Sequence, residues 1–261
     1  MYPRLYKILK DRSFFLFGPR GTGKSTWLKE ALPEAQVIDL LEARTHRVLA
    51  ADPSRLEGML TNSTGWVVLD EIQRVPELLD EVHRLIETKK WKFALTGSSA
   101  RKLKRGGANL LGGRALQRSL FQLTLWELGP DWNLQKALAT GLLPEAWTYP
   151  KPRDFLEAYV STYLKEEVFA EGLARNLGAF ARFMEIMAFS QGSVLSMSSA
   201  ARDVGVDPKV LANHLDLLED LLLAVRVPVF THRAKRRMTS HPKFYYFDTG
   251  IFRTLRPKGP L

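Results

Sequence analysis

The sequence predicts an α/β protein in which a parallel-sheet domain is followed by a mainly helical domain. Two observations predict the sheet: a short apolar run enters a glycine-rich loop at residues 18–25, and two later apolar runs each end in polar residues. The third observation is a series of helix-like segments after residue 151, the last two joined by a glycine turn. The proline-rich stretch 147–152 marks the boundary, so we expect domains at 1–150 and 151–261.

Composition restricts the classes of protein to which the chain can belong. Hydrophobic residues make up 45% of the chain and charged residues 25%, values typical of a globular protein. No run approaches the ~18 apolar residues of a membrane span. The absence of cysteine excludes disulfides, thiolate metal sites and thiol catalysis. Residues 1–11 carry charges without an apolar core, so we expect no signal peptide and a cytoplasmic protein.

The glycine-rich loop follows the predicted first strand, residues 13–17, and leads into a predicted helix. Its sequence, GPRGTGKS, fits the phosphate-loop (Walker A) pattern G-x-x-x-x-G-K-[ST] at every fixed position. Its glycines let the backbone turn tightly and point N–H groups toward a phosphate, and the helix start adds a positive dipole end. We expect Lys24 to reach the β- and γ-phosphates and Ser25 to offer its hydroxyl to Mg²⁺.

Another apolar strand, residues 66–70, is followed by a second carboxylate. Asp70 at the strand tip is suited to hold the water shell of Mg²⁺, the acidic partner (Walker B) that a phosphate loop requires. Glu71 comes directly after it and can orient or deprotonate an attacking water. Hydrolysis therefore fits this pair better than phosphoryl transfer to a second substrate, which would need a docked acceptor hydroxyl.

A further strand, residues 91–96, ends in a glycine and two serines. In hydrolytic phosphate-loop proteins, a strand between the two described above often ends in a small polar residue, and Ser98 or Ser99 can hydrogen-bond the γ-phosphate or the water. The same residues also suit an ordinary turn. The remaining elements expected in this domain are a second strand at 35–40, a fifth strand at 119–124 and a helix packed on the sheet at 76–89.

The second domain has the pattern of a winged helix. Four helices are expected, at 154–171, 179–190, 197–204 and 209–223. The last two flank a turn at Gly205, which is the arrangement of a helix-turn-helix. Two short strands follow, at 224–230 and 244–247, and the basic loop 231–243 between them is the expected wing.

A winged helix of this kind predicts contact with DNA. Lys209, Asn213 and His214 begin the second helix of the pair, the part that faces a groove in DNA-binding proteins. The wing offers four cations suited to hold phosphates: Arg233, Lys235, Arg236 and Arg237. The same helix carries acidic residues that oppose insertion beside phosphates: Asp216, Glu219 and Asp220. A protein-contact or lid function is therefore the open alternative.

Four strings of the sequence resemble one known family. The strings are, in order, GPRGTGKS, VVLDEIQRVPELLDEVHRLIE, FALTGSSARKL and LLGGRALQRSLFQLTLWE. The family that they resemble is that of the AAA-type ATPases of bacteria and archaea with a C-terminal winged helix and an uncharacterised, restriction-endonuclease-like region. The resemblance implies a P-loop NTPase (AAA-like) fold, a metal-side acid at Asp70, a hydrolytic acid at Glu71 and a sensor near Ser98. ATP and Mg²⁺ are then expected at Gly18, Pro19, Arg20, Gly21, Thr22, Gly23, Lys24, Ser25 and Thr26.

The resemblance also implies a homo-oligomer in which one subunit donates an arginine to the nucleotide of its neighbour. Arg114 is the first choice for this arginine finger and Arg105 the second, and Arg114 also suits a simple basic surface. Relatives usually continue beyond residues 247–251 into the restriction-endonuclease-like domain, whereas this chain stops ten residues later. The chain is then a natural short form, a fragment or a trimmed version of a longer protein. Nuclease residues cannot be assigned, so nuclease activity is not among the predictions.

The net charge of +10 is concentrated in two stretches. Residues 88–118 hold nine basic and no acidic side chains, and residues 226–261 hold nine basic and one acidic. Only the second stretch, with the wing, has the position of a DNA footprint. The sequence therefore predicts a Mg²⁺-dependent ATPase that couples nucleotide state to a winged helix, with DNA as the expected partner. The alternative is an ATP-gated protein-interaction switch with little turnover and no DNA binding.

Overall fold

The computed structural model describes residues 2–8, 11–61, 65–101, 103, 111–164, 177–230 and 241–256. The chain divides into two compact units, Met1–Phe121 and Gln122–Leu261. The division falls earlier than the expected one at residue 150, because the segment before the prolines buries Leu143 and Ala146 in the core of the second unit. None of the helices in the described ranges is long and apolar enough to cross a membrane.

A parallel sheet forms the centre of the first unit. Its strands, among the described residues, are β1 Ser13–Phe17, β2 Gln36–Asp39, β3 Trp66–Asp70, β4 Lys92–Gly97 and β5 Ala115–Ser119. Their order is β2-β3-β4-β1-β5, so β4 lies between β1 and β3 as predicted. Every residue of β1 is buried, which is expected for an interior parallel strand with both faces covered.

Helices cover the sheet of the first unit. They are α1 Lys24–Ala31, α2 Ala43–Ala51, α3 Arg55–Met59 and α4 Leu78–Lys89. Phe14 and Leu16 of β1 pack with Trp27 and Leu28 of α1 in one hydrophobic cluster. The helix predicted at 76–89 is confirmed as α4, which buries its apolar side chains Leu78, Leu79, Val82 and Leu85.

The fifth strand was expected at 119–124, and this is wrong. β5 ends at Ser119 and pairs in parallel with β1, from Ser13 opposite Ala115 to Phe17 opposite Ser119. The apolar residues that suggested a strand, Leu120 and Leu123, are buried in the loop that follows. β5 itself is an edge strand with mostly exposed side chains, so its sequence lacks the apolar pattern of a buried strand.

The second unit is mainly helical. Its described helices are α5 Leu125–Leu128, α6 Leu134–Thr140, α7 Pro144–Thr148, α8 Pro152–Ala158, α9 Leu177–Ala188, α10 Met197–Val204, α11 Pro208–Asp220 and α12 Thr249–Leu255. α8 continues as one π-helical segment, Tyr159–Leu164, and the rest of the helix predicted at 154–171 lies outside the described residues. Phe180 and Phe183 of α9 pack with Leu211 and Leu215 of α11 in a single core.

The helix-turn-helix predicted at 197–223 is confirmed as two helices joined by a tight turn. Gly205 ends α10 with φ of 76°, a left-handed conformation that glycine adopts readily. The Asp207 carboxylate caps α11 by accepting a hydrogen bond from the Lys209 N–H at 2.7 Å. β6 Ala224–Val227 and β7 Lys243–Tyr246 then pair antiparallel. Residues 231–240, with all four arginine and lysine residues expected to hold phosphates, lie outside the described residues.

A buried carboxylate joins two segments of the second unit that are distant in sequence. Asp248 is 2% exposed and accepts hydrogen bonds from the N–H groups of Leu142 (2.7 Å), Gly250 (2.8 Å) and Ile251 (3.1 Å). Burial raises the pKa of this carboxyl, while the backbone donors oppose the rise. The side chain therefore both caps α12 and holds the loop between α6 and α7.

We expect Asp248→Ala to lower the free energy of unfolding by about 3 kcal/mol, because buried N–H donors lose a charged acceptor. Asp248→Asn keeps one acceptor oxygen and should lower the free energy of unfolding by less. Urea unfolding of the full chain, followed by circular dichroism, measures both variants. Asp203→Ala removes an exposed carboxylate from α10 of the same unit and is the control. Equal stability of Asp248→Ala and this control would contradict the assigned role.

Candidate nucleotide-binding site

The glycine-rich loop lies at the carboxyl end of β1, and α1 begins within it at Lys24. Gly21 and Gly23 have φ of 79° and 86°, a backbone conformation that residues other than glycine rarely adopt. A Cβ on Gly18 would collide with the carbonyl oxygen of Leu120. The backbone path between β1 and α1 therefore favours glycine at all three positions.

The Lys24 side chain is folded into this loop. It is 6% exposed, and its Nζ donates hydrogen bonds to the carbonyl oxygens of Gly18 at 2.7 Å and Pro19 at 3.2 Å. Thr22 Oγ1 donates to the same Pro19 oxygen at 2.9 Å. A buried ammonium group costs free energy unless it has such partners. The loop thus holds a positive charge at the point where the sequence predicts phosphate contacts.

Asp70 connects the loop to the neighbouring strands. Ser25 Oγ donates to Asp70 Oδ2 at 2.7 Å, and Thr96 Oγ1 donates to Asp70 Oδ1. Ser25 follows β1, Asp70 ends β3 and Thr96 lies in β4 between them, so the parallel order brings all three together. A serine hydroxyl beside a carboxylate is a set of hard oxygen ligands that fits Mg²⁺.

Thr96 is a site residue that the sequence interpretation missed. It is fully buried, and besides contacting Asp70 it accepts a hydrogen bond from the Glu71 N–H at 3.1 Å. The available signal was a hydroxyl near the carboxyl end of an otherwise apolar strand. Ser98, the expected sensor, is also buried just after β4, but the described hydroxyl that contacts Asp70 is that of Thr96.

Glu71 has an unusual backbone conformation. Its φ of 62° and ψ of 47° are left-handed, which costs a residue with a Cβ free energy of order 1 kcal/mol. Gln73 Nε2 donates to Glu71 Oε2, while Gln73 Oε1 is buried without a partner among the described residues. A side chain at Gly97 would collide with this amide. Gln73 therefore fixes the position of the Glu71 carboxylate, a role that no sequence pattern indicated.

A segment near the chain start supports the loop from outside. Arg4 donates from Nη1 to the Thr22 carbonyl oxygen at 3.0 Å and from Nη2 to that of Phe121 at 2.5 Å. The Tyr6 ring packs edge-on against Trp27 of α1 with centroids 5.0 Å apart. These contacts join residues that are far apart in sequence, so the spacing of residues along the chain could not predict them.

The arginine proposed as a finger lies away from the loop of its own chain. Arg114 immediately precedes β5, and β5 runs parallel to β1, so Arg114 lies at the amino edge of the sheet whereas Gly18 follows its carboxyl edge. Its Nε donates to Glu87 and its Nη1 to the Gly112 carbonyl oxygen at 3.2 Å. Arg105 lies outside the described residues. The finger remains a prediction about a neighbouring subunit.

The residues expected to face DNA divide into two groups. Lys209 and Asn213 are exposed on α11, as predicted. The expectation for His214 is wrong: its ring packs on Phe180 and Phe183, with centroids 5.0 Å away, and Nδ1 is buried. Burial lowers the pKa of this histidine. The residue is one helical turn past the exposed start of α11 and belongs to the apolar face.

The acidic residues of α11 are largely paired within the unit. Arg226 Nη2 donates to Asp216 Oδ1 at 2.6 Å and to Glu219 Oε2, and the Arg226 N–H donates to Glu219 Oε1 at 2.6 Å. The Glu219 carboxylate, then Asp216, raises the pKa of Arg226, while burial opposes the rise. The local charge of α11 is therefore less negative than its sequence indicates.

Two family models match different parts of the chain. Residues 10–129 match a family described as "AAA domain", and residues 131–260 match one described as "Domain of unknown function (DUF8612)". No protein among the curated sequences matches the chain.

Solved structures resemble the chain only distantly. The Aeropyrum pernix ORC1 protein in complex with DNA has a TM-score of 0.39 and 14% identity, with 95% of this chain and 87% of that chain covered. The ADP form of the Aeropyrum pernix ORC2 protein has a TM-score of 0.38 and 12% identity, with coverages of 94% and 86%. Residues 10–129 are thus similar to the AAA domain family, and their parallel sheet with a glycine-rich loop between β1 and α1 has the fold of a P-loop NTPase.

Proposed function

We propose that the protein is a Mg²⁺-dependent ATPase whose nucleotide state is coupled to a DNA-binding winged helix. The observation that carries the ATPase proposal is the hydrogen bond between Ser25 and Asp70 at the carboxyl edge of the parallel sheet, with Lys24 next to Ser25 in the chain and Glu71 next to Asp70. A buried cation, a hydroxyl–carboxylate pair and a second, separately held carboxylate are the groups that nucleotide hydrolysis requires. The AAA domain match at residues 10–129 supports the same proposal.

Nucleotide binding would use groups of the glycine-rich loop. Lys24 Nζ would exchange its carbonyl partners at Gly18 and Pro19 for phosphate oxygens, and the N–H groups at the start of α1 would bind the same phosphates. Ser25 and Asp70 would hold Mg²⁺. When bound, Mg²⁺ neutralises charge on the β- and γ-phosphate oxygens. Thr96 would keep the Asp70 carboxylate oriented through its hydroxyl.

Hydrolysis would depend on Glu71 as the base. The carboxylate would accept a proton from a water that attacks the γ-phosphorus, and the leaving ADP oxygen would be stabilised by Lys24 and the loop. Gln73 and the Thr96 contact to the Glu71 N–H would hold this base in position. Ser98 as a sensor and Arg114 as a finger in a neighbouring subunit complete the proposed set.

Two substitutions separate binding from hydrolysis. Lys24→Ala should abolish ATP binding, whereas Glu71→Gln should bind ATP but hydrolyse it about 10²–10⁴-fold more slowly, the usual contribution of a general base. Calorimetry measures binding and phosphate release measures turnover. Lys29→Ala and Glu30→Gln change exposed residues of α1 and are the matched controls. Normal hydrolysis by both test variants would refute the site assignment.

The DNA proposal rests on the exposed start of α11. Lys209 and Asn213 are exposed there, and the pairing of Arg226 with Asp216 and Glu219 reduces the repulsion that these acids would exert on phosphates. The basic stretch 226–261 continues in the same unit. Such a surface binds DNA mainly through phosphate contacts, with little sequence preference.

We expect duplex DNA to bind the full chain, to stimulate hydrolysis, and to lose both effects as salt rises. Lys209→Ala should weaken binding and reduce the slope of log affinity against log salt concentration by about 1, because one phosphate contact is lost. Fluorescence anisotropy at several salt concentrations measures this. Arg153→Ala, which removes an exposed cation from α8, outside the basic stretch 226–261, is the control and should leave the slope unchanged. An equal reduction of DNA affinity and of the salt slope in both variants would contradict the proposed DNA-binding surface.

A protein-interaction switch is the second candidate, and one observation favours it. β6 and the residues after it expose apolar side chains: Val225, Val227, Val229 and Phe230. Exposed apolar residues grouped in this way are more typical of a protein interface than of a DNA surface. Absence of DNA binding even at low salt would favour this second function.

A further inference from the structure

Three cations of the first basic stretch, residues 88–118, gather in one place away from the phosphate loop. Lys90, Lys92 and Arg114 line a cavity of about 320 Å³ together with Arg12. The cavity lies at the amino edge of the sheet, at the opposite ends of the strands from the phosphate loop.

The parallel topology explains why these four cations meet. Arg12 directly precedes β1, Lys92 begins β4 and Arg114 directly precedes β5. These strands are neighbours in the order β4-β1-β5, so their first residues share one edge. Lys90 lies in the turn between α4 and β4, where a φ of 57° changes the direction of the chain.

The charge of the cavity remains positive after its carboxylates are counted. Asp11 lies 3.5 Å from Arg12 Nε, and Glu87 pairs with Arg114 and lies 3.9 Å from Lys90 Nζ. In the part of the chain that the structure describes, the cavity is thus lined by four cations, and two carboxylates form ion pairs with three of them. Each arginine keeps further N–H groups beyond the one used in its ion pair, and such groups bind phosphate oxygens in parallel pairs.

Two buried residues give the cavity a fixed wall. Ser13 is 3% exposed, and its Oγ accepts a hydrogen bond from the Phe93 N–H at 2.9 Å. No described residue accepts the hydroxyl proton of Ser13, so it is available as a donor within the lining. Trp91 is 8% exposed and supplies a rigid apolar surface beside it.

We propose that this cavity binds the phosphate groups of a small phosphorylated ligand, at a site separate from the phosphate loop. A volume of about 320 Å³ is at the small end of ligand pockets, which favours a compact polyanion. Cations from several elements, with one buried hydroxyl donor, match the several negative oxygens of a phosphate better than the single charge of a carboxylate. The site does not depend on ATP hydrolysis.

Calorimetric titration of the full chain with pyrophosphate at low salt tests the proposal. The wild-type protein should bind pyrophosphate at two sites, the phosphate loop and the cavity. Lys24→Ala should retain only the cavity site at the amino edge of the sheet. In the Lys24→Ala background, Arg12→Gln with Lys90→Gln should weaken binding by at least about tenfold, since charge-assisted contacts are lost. Lys29→Gln with Arg55→Gln removes two exposed cations of the same unit that do not line the cavity, and should leave affinity unchanged.

Three results would overturn the proposal. The first is that Lys24→Ala does not bind pyrophosphate at millimolar concentration. The others are that the cavity double variant and the control double variant bind pyrophosphate with equal affinity, or that both bind it equally more weakly than Lys24→Ala alone. Thermal unfolding without ligand verifies that each variant folds. If the double variant does not fold, Arg12→Gln and Lys90→Gln alone replace it, and each must bind pyrophosphate more weakly than the corresponding single control. If two sites fail together in Lys24→Ala, the cavity proposal fails while the ATP-site assignment stands.

Discussion

The carboxylate of Asp70 is the interaction on which the candidate site depends. One oxygen accepts from Ser25 at the start of α1 and the other from Thr96 in β4, so a single side chain joins the ends of three neighbouring strands. This arrangement is only available because the strands are parallel and end at one edge. The glycine-rich loop, the proposed base Glu71 and Gln73, which donates a hydrogen bond to it, all lie around this point.

The sequence was sufficient where the signal was local. The phosphate loop, the strand before it, the tip of β3 and the helix α4 all have patterns that a short window contains, and the structure places them as predicted. It was insufficient where a residue acts through tertiary contacts. Thr96 matters because β4 lies beside β3, and Arg4 because the chain start returns to the loop.

Two errors have the same physical origin. The fifth strand was expected in the most apolar segment, but β5 is an exposed edge strand and the apolar residues after it are buried without being a strand. His214 was placed on a DNA-facing surface from its position in α11, but it packs against α9, which no local pattern reveals. Burial decided both outcomes, and burial depends on the packing of distant elements.

The excess of basic residues is arranged differently in the two units. In the first unit the parallel topology gathers Arg12, Lys90, Lys92 and Arg114 at the edge away from the phosphate loop. In the second unit, Arg226 forms ion pairs with the acidic residues Asp216 and Glu219 of α11. Net charge by itself therefore overstates the case for one large nucleic-acid surface.

The central claim is that the Asp70 carboxylate holds Mg²⁺ for ATP hydrolysis. Its most direct test is the rate of phosphate release from Mg²⁺–ATP by Asp70→Asn, which keeps the side-chain shape but removes the charge. The account predicts a loss of about a hundredfold or more, comparable to loss of a metal ligand or its support, with ATP binding in the absence of Mg²⁺ retained. Hydrolysis at the wild-type rate would contradict it.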